Sequence, residues 1–331
     1  MAKLKIYKLH FTSPLHIGDK REDYSISLKT IPSDTMYAAI TSCLAKLGKE
    51  IPVDGNLGAS ISSLFPYYQK SVTDNPVYFF PKPLIQRLPN LKDVGKAKLV
   101  KKATWLDKDY FEKVLNGTNL FDNNDEDVKS IQGPYVSSKK IDEKFMQSQV
   151  LPRVMVSRTQ EEDAKPYYID RVSFKGESGL YFLAYGDTCL IDQGMELLKV
   201  EGIGTDRNVG NGFFEFTTDE IELKLPENTQ HIVSLSLFIP ESKEQLSTLL
   251  KSEKVAYDIV RRGGWITTPP FNSLRKNVIN ALSEGSVFST TSSHITILGR
   301  IVDLRPDTEF EPKVNHPIWR SGRSIMLPIK L

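Results

Sequence analysis

Gly202-Ile203-Gly204-Thr205-Asp206-Arg207-Asn208-Val209-Gly210-Asn211-Gly212-Phe213-Phe214-Glu215-Phe216 sets four glycines around a polar centre that holds one arginine. Glycine alone adopts positive φ freely and lets another group approach the main chain, so this stretch reads as a shaped loop able to offer N–H groups to an anion. Upstream, Leu190, Ile191, Met195, Leu197 and Leu198 recur at helical spacing; downstream, Phe214, Phe216, Ile221 and Leu223 read as a strand. The order is helix, glycine loop, strand. Phosphate-binding loops of nucleotide sites run strand, loop, helix, so that a helix N-terminus faces the phosphate. A mononucleotide or dinucleotide cofactor site is therefore not expected here, and a tight turn without any ligand remains open.

Working outward, residues 3 to 11 predict a strand that Thr12-Ser13-Pro14 ends. Ser33 reads as an N-cap after Pro32, and Met36, Ile40, Cys43, Leu44 and Leu47 form one apolar helix face up to a Gly48 stop. Val77 to Phe80 predicts a strand, and Tyr168 to Phe174 with Gly179 to Tyr185 a hairpin. The helix at 190 to 200 and the strand from 213 complete a β-α-β-β-α-β order, the ferredoxin-like arrangement, with a long insertion. From His231 a second unit follows: an alternating strand at 232 to 238, a helix at 241 to 251, and strands at 255 to 260, 294 to 303 and 324 to 330. The expected fold class is α+β, with tandem ferredoxin-like (RRM-like) domains at 1–225 and 226–331, an inserted thumb or arm at about 82–150, and the glycine-rich loop.

With 331 residues, 40% of them hydrophobic and 25% charged, the chain can bury two ordinary cores. A formal net charge of +2 excludes a uniformly basic nucleic-acid binder, so any basic surface must be local. Met1 to Ile6 has no apolar signal core and no run of eighteen apolar residues occurs, which predicts a cytoplasmic protein without membrane contact. Cys43 and Cys189 sit in or beside apolar helical patterns and are expected to pack in the core, with no disulfide, metal or cofactor.

The insertion carries the unusual charge. Lys82, Arg87, Lys92, Lys96, Lys98, Lys101, Lys102, Lys108 and Lys113 stand against only Asp93, Asp107, Asp109 and Glu112. Glycine, proline and asparagine punctuation predicts mobile loops around one short helix at 104 to 115. It reads either as a solvated excursion or as a basic arm tracking a phosphate backbone, with Trp105 and Tyr135 available to stack on bases. On this reading, deleting residues 90 to 130 leaves the fold intact. The acidic run at 122 to 127 lacks the glycine and distal glutamate of a calcium loop.

Five segments occur together and in order: Phe11-Thr12-Ser13-Pro14-Leu15-His16-Ile17-Gly18, Ser33-Asp34-Thr35-Met36-Tyr37-Ala38-Ala39, the glycine loop through Glu215, Arg262-Gly263-Gly264-Trp265, and His316-Pro317-Ile318-Trp319-Arg320. This combination resembles the subunit-four family of type III-A CRISPR (Csm) effector complexes, in the repeat-associated RAMP superfamily, over nearly the whole chain. The insertion is the least similar part. The resemblance implies a non-enzymatic subunit that holds the repeat-derived 5′ tag of the CRISPR RNA (crRNA), docks the large polymerase-like subunit, and abuts a backbone RAMP subunit.

Carried onto this sequence, the family's loop maps to Gly202, Gly204, Thr205, Arg207, Asn208, Gly210 and Gly212, and its first helix begins at Ser33. RNA contacts are further expected from Arg153 and Arg158, on an alternating segment, and from Lys98, Lys101 and Lys102 in the arm. His16 is expected near the RNA, its imidazole held by hydrogen bonds in the proline turn. A catalytic role for it is the alternative, since other RAMP proteins cleave CRISPR precursor RNA by acid–base chemistry. No second titratable partner stands at a telling spacing, so no catalytic residue is expected. A purely structural scaffold is the third reading. Trp265 and Trp319 are expected to anchor the core.

Overall fold

The computed structural model describes residues 2–20, 23–85, 94–121, 128–156, 163–290, 292, 294–307 and 313–331. The first strand, β1 (Ala2–Phe11), alternates: Leu4 and Ile6 enter one apolar cluster, while Tyr7, Leu9 and Phe11 enter another on the opposite face. The chain continues through a small hairpin, β2 (Gly18–Lys20) and β3 (Asp23–Ser27), to α1 (Ser33–Lys46), β4 (Ala59–Ile61), β5 (Phe65–Tyr68) and β6 (Val77–Pro81). Then come α2 (Val94–Lys102), β7 (Trp105–Asp107), α3 (Lys108–Leu115), β8 (Ile131–Gln132), β9 (Tyr135–Val136), β10 (Met146–Met155), β11 (Lys165–Phe174), β12 (Gly179–Gly186), α4 (Cys189–Glu201) and β13 (Phe214–Leu223).

A nine-stranded sheet runs β13-β1-β12-β5-β6-β7-β9-β8, with β4 also on β12. α1 and α4 cover one face through Met36, Ile40, Leu44, Ile191, Met195 and Leu198. They approach closely because Gly194 has no side chain: a Cβ there would come within 2.7 Å of Ile40 Cγ2. Lys5, on the same face, reaches Asp192 of α4 at 2.7 Å.

The opposite face is covered by the C-terminal unit. This comprises β14 (His231–Ser234), α5 (Lys243–Leu249), β15 (Ile259–Arg262), β16 (Ile279–Leu282), β17 (Val287–Ser289), β18 (Thr296–Leu298), β19 (Ile301–Asp303), β20 (Trp319–Ser321) and β21 (Ser324–Ile329). Its four-stranded sheet, β17-β14-β21-β18, places Val233, Leu235, Val287, Ile325 and Leu327 in one apolar cluster with Leu4, Ile6, Tyr181 and Leu183. The two halves thus share a core.

Several expectations need correction. Ser33 is not the N-cap: Pro32 holds that position, and the buried Ser33 hydroxyl instead accepts the Leu237 N–H at 3.0 Å from the other half. Leu237 starts an irregular continuation of β14 and needs an acceptor there. Ser33→Ala should therefore cost about 1–3 kcal/mol, the penalty of a buried donor left unpaired, and lower the urea midpoint accordingly. β11 does not pair with β12; it forms a separate ribbon with β10, while β12 joins β1, β4 and β5.

The segment expected to be a loose arm is largely core. β7, β9 and β8 extend the sheet, and Val100, Ala103, Leu106, Phe111, Val114 and Leu115 join the cluster between the sheets. Tyr135 is buried and Trp105 half-buried against Phe65, so neither ring is open to bases. Residues 90 to 130 cannot be removed as an appendage, because α3 would leave a hole in that cluster. The acidic run and Arg87 and Lys92 lie outside the described residues. In the C-terminal unit the described residues hold only one short helix, α5, capped by Ser242 accepting from Gln245 N–H at 3.2 Å. The single strand expected at 294 to 303 breaks at Gly299 (φ 98°), where a side chain would strike the Gly322 carbonyl.

Both cysteines are free; Cys43 is buried, its thiol pushed up to about 11 by burial, but Cys189 is exposed at the start of α4. Trp319 packs half-buried against the helical cluster, whereas Trp265 lies outside the core with the Arg275 guanidinium 4.8 Å from its ring centre. No helix among the described residues is long and apolar enough to cross a membrane.

Candidate nucleic-acid interface

The glycine loop folds onto the turn that follows β1. α4 ends at Gly202 (φ 74°), and Ile203 N–H donates back to Gly212 O at 2.9 Å. Thr205 N–H donates to His16 O at 2.9 Å and Gly212 N–H to Pro14 O at 2.8 Å. These N–H groups are therefore spent on the protein, a correction to the loop as a general anion cradle. Gly204 and Gly212 are required by close approach: an added Cβ would strike the His16 and Ile203 carbonyls respectively. The tip is a 3-10 turn, Arg207–Val209, between left-handed Asp206 (φ 59°) and Gly210 (φ 89°). Asn208, Val209 and Gly210 are exposed there.

Arg207 has two roles in this geometry. Its Nη1 donates to Gly202 O at 3.3 Å and lies 3.8 Å from Glu201, while the side chain keeps 40% exposure. It holds the loop and still presents charge to solvent.

The β10–β11 ribbon forms the second wall. Its root is fixed by reciprocal Leu15–Val172 backbone bonds of 2.8 Å, and His16 Nδ1–H donates to Asp170 O at 2.7 Å. The imidazole is held in its turn, but it is buried and its Nε2 has no partner among the described residues. The Asp170 carboxylate accepts from Ser27 N–H at 3.1 Å and from the Ser148 hydroxyl, tying β3 to the ribbon. Further out, Tyr167 donates its hydroxyl to Asp206 at 3.3 Å and so bridges ribbon and loop. Burial, then the Asp206 charge, raises the Tyr167 pKa, which keeps the phenol a donor. Tyr24 stands 5.8 Å from Tyr167 and 5.9 Å from His16 between ring centres.

Across the ribbon Arg153 is registered opposite Tyr167, and Arg171 lies on the same face as Tyr167 four residues along β11. Burial and then the charge of Arg153 lower the Arg171 pKa, and Arg171 Nε has no partner among the described residues. Half-exposed Tyr24, Tyr167, Arg153 and Arg207 thus gather in the cleft where the ribbon meets the loop, with Arg171, also half-exposed, nearer the ribbon's root. Asn211, fully buried under the loop, also leaves both amide atoms unpaired. Left-handed Asp206 and these buried polar orphans concentrate strain at this point, as functional sites do.

Of the RNA-contacting residues expected from the sequence, the structure brings Arg153, Arg207, Thr205, Asn208 and the four glycines to this cleft, with His16 beneath it. Ser33 is internal to the fold. Lys98, Lys101 and Lys102 are exposed on α2, which leads into β7 at the opposite end of the sheet and does not reach the cleft. Arg158 lies outside the described residues. The two-stranded ribbon is β10 with β11, Met146–Met155 and Lys165–Phe174, rather than a feature of 82–150, and it exposes Val150, Val154, Met155 and Tyr168. Tyr24, Tyr167 and Arg171 were missed, although the Tyr167-Tyr168 pair beside Arg171 was a visible aromatic–cationic signal. Among the described residues no group of His, Cys, Asp or Glu is placed to hold a metal.

Residues 227–329 match the family of the CRISPR Csm4 C-terminal domain. The "CRISPR system Cms protein Csm4" of Thermococcus onnurineus (strain NA1) is 27% identical over 290 residues, covering 79% of this chain and 86% of that protein. The protein of the same name from Streptococcus thermophilus is 24% identical over 315 residues, covering 91% and 92%. In fold, the chain is similar to one in a crystal structure of the Csm3-Csm4 subcomplex in the type III-A CRISPR-Cas interference complex, with a TM-score of 0.58 at 17% identity over the full length of both. It is likewise similar to one in a Csm1-Csm4 cassette in complex with cA4, with a TM-score of 0.56 at 19% identity, covering 100% of this chain and 99% of that one.

Proposed function

Because the chain belongs to the Csm4 family of type III-A CRISPR subunits, we propose that it is a non-catalytic RNA-binding subunit that holds the 5′ repeat-derived tag of the crRNA. In this reading it also anchors the large polymerase-like subunit and adjoins a backbone RAMP subunit, the partners that the names of its structural neighbours suggest. It acts in the cytoplasm, as two ferredoxin-like units whose first is β1-α1-β4-β12-α4-β13. The observation that carries the proposal is the cleft between loop and ribbon. Single-stranded RNA is held by stacking splayed bases on aromatic rings and by cations on its phosphates. Tyr24 and Tyr167 supply rings, while Arg153, Arg171 and Arg207 supply charge.

The burial of His16 supports the non-catalytic reading. Its ring is 1% exposed and its Nδ1 is committed to a carbonyl, so it does not reach a 2′-hydroxyl. Arg153→Ala is the cleaner test of RNA contact, because Arg207 also holds Gly202. It should weaken binding of a short single-stranded tag RNA and lower the salt slope by roughly 0.7 for each phosphate that is no longer neutralised. An unchanged slope would remove the ribbon from the RNA path. Cutting of repeat RNA on a denaturing gel, abolished in His16→Ala, would replace the binding reading with the endoribonuclease one.

A further inference from the structure

Three sequence motifs that the cleft leaves unused meet elsewhere, at the first turn of α1. Asp34 is 2% exposed and takes a two-pronged contact from Arg262: Nε to Oδ2 and Nη2 to Oδ1, both at 2.9 Å. Arg320 donates Nη1 to the Asp34 carbonyl at 3.1 Å and stands 3.6 Å from Oδ2. These residues come from Ser33-Asp34-Thr35, Arg262-Gly263-Gly264-Trp265 and His316-Pro317-Ile318-Trp319-Arg320, so their joint occurrence in the sequence has a spatial reason. Lys276 adds a third cation, its N–H fixed to Gly264 O at 2.8 Å. Burial, then the charges of Arg320 and Arg262 against that of Asp34, lower its ammonium to about 8.

A structural clasp needs one carboxylate and one guanidinium. Here two guanidiniums share the Asp34 carboxylate, and the Lys276 ammonium is close enough for its pKa to respond to all three. Glu284, the other acid near them, has its pKa raised by burial and by the charge of Asp34. Arg320 Nε is buried without an acceptor, and among the described residues no hydrogen bond or ion pair reaches Lys276 Nζ. A buried cationic N–H without an acceptor is expensive, and an arriving anion removes that cost. Gly264 beside them is open: nothing lies within 4 Å of an added Cβ.

We propose that Arg262, Lys276 and Arg320, gathered about Asp34, hold one phosphate group of the RNA, a second contact point on the C-terminal unit separate from the loop–ribbon cleft. The proposal rests on the RNA-binding reading above. The same chemistry would accept a free phosphate, so the test has two arms on the full chain.

In the first, thermal unfolding is compared in inorganic phosphate and in chloride at matched ionic strength. Phosphate should raise the wild-type midpoint and leave Lys276→Met unmoved. Since Lys276 Nζ bonds no described residue, this variant should melt in chloride no lower than wild type. In the second, a short single-stranded tag RNA is titrated against salt. Lys276→Met should bind several-fold more weakly with a slope lower by roughly 0.7. Equal phosphate shifts and equal slopes in the two proteins overturn the site. A slope that falls in Arg153→Ala but not in Lys276→Met overturns it and leaves the RNA reading standing. A phosphate shift abolished in Lys276→Met, without any RNA binding by wild type, overturns the RNA assignment in favour of a free phosphate ligand.

Discussion

Asp34→Ala should lower the unfolding free energy by about 3–5 kcal/mol, the cost of breaking a buried ion pair and stranding its partner. The value is at the upper end because the carboxylate serves two guanidiniums, Arg262 through both oxygens and Arg320 at 3.6 Å. Burial alone would raise the Asp34 pKa; Arg320 and Arg262 outweigh it and hold the carboxyl below its ordinary 3.8. A carboxyl with a lowered folded-state pKa stabilises fully above its unfolded value and loses that contribution as pH falls through the folded one. Stability should therefore drop below about pH 3.8 in wild type, and this component should be missing from Asp34→Ala. Urea unfolding across that range measures both effects. A decrease under about 1 kcal/mol would mean that the pair behaves as a solvated surface contact.

Gly212→Ala should be the most damaging change in the loop. Its φ of 77° is strained for any L side chain, and the added methyl would strike the Ile203 carbonyl, whose residue is also bonded to Gly212 O at 2.9 Å. Left-handed strain and overpacking together come to roughly 2–6 kcal/mol. The loop must open to relieve them, which moves Asp206 and Arg207 and should reduce RNA affinity by more than the removal of one arginine. Gly210→Ala is the control: its φ is 89°, but nothing lies within 4 Å of the added Cβ, so only strain of about 1 kcal/mol is expected. Comparable RNA affinity in wild type and Gly212→Ala would show that the packed loop is not part of the RNA path.

The elements with strong local periodicity were legible in the sequence: β1 from its alternation, α1 and α4 from their apolar faces, β13 from Phe214 onward. Partnership was not. The alternation of β11 is equally compatible with β10 or β12, and only the three-dimensional course decides between them. Surface lysines on α2 and α3 masked Phe111, Val114 and Leu115, whose spacing already marked a buried face. Ser33 had the composition of a cap, yet the unpaired Leu237 N–H across the junction claimed its hydroxyl. The glycine loop and Arg207 were recognisable, but Tyr24 and Tyr167 join them through contacts between segments far apart in the chain. The same is true of Asp34, Arg262, Lys276 and Arg320.

The most direct measurement is photocrosslinking of tag RNA carrying a photoreactive base to the full chain, with the adducts mapped by mass spectrometry. If the cleft holds the tag, crosslinks fall at Tyr24 and Tyr167 and around residues 207–210. Crosslinks confined to the α2 lysines, or none while the RNA is bound, would contradict that role for the cleft.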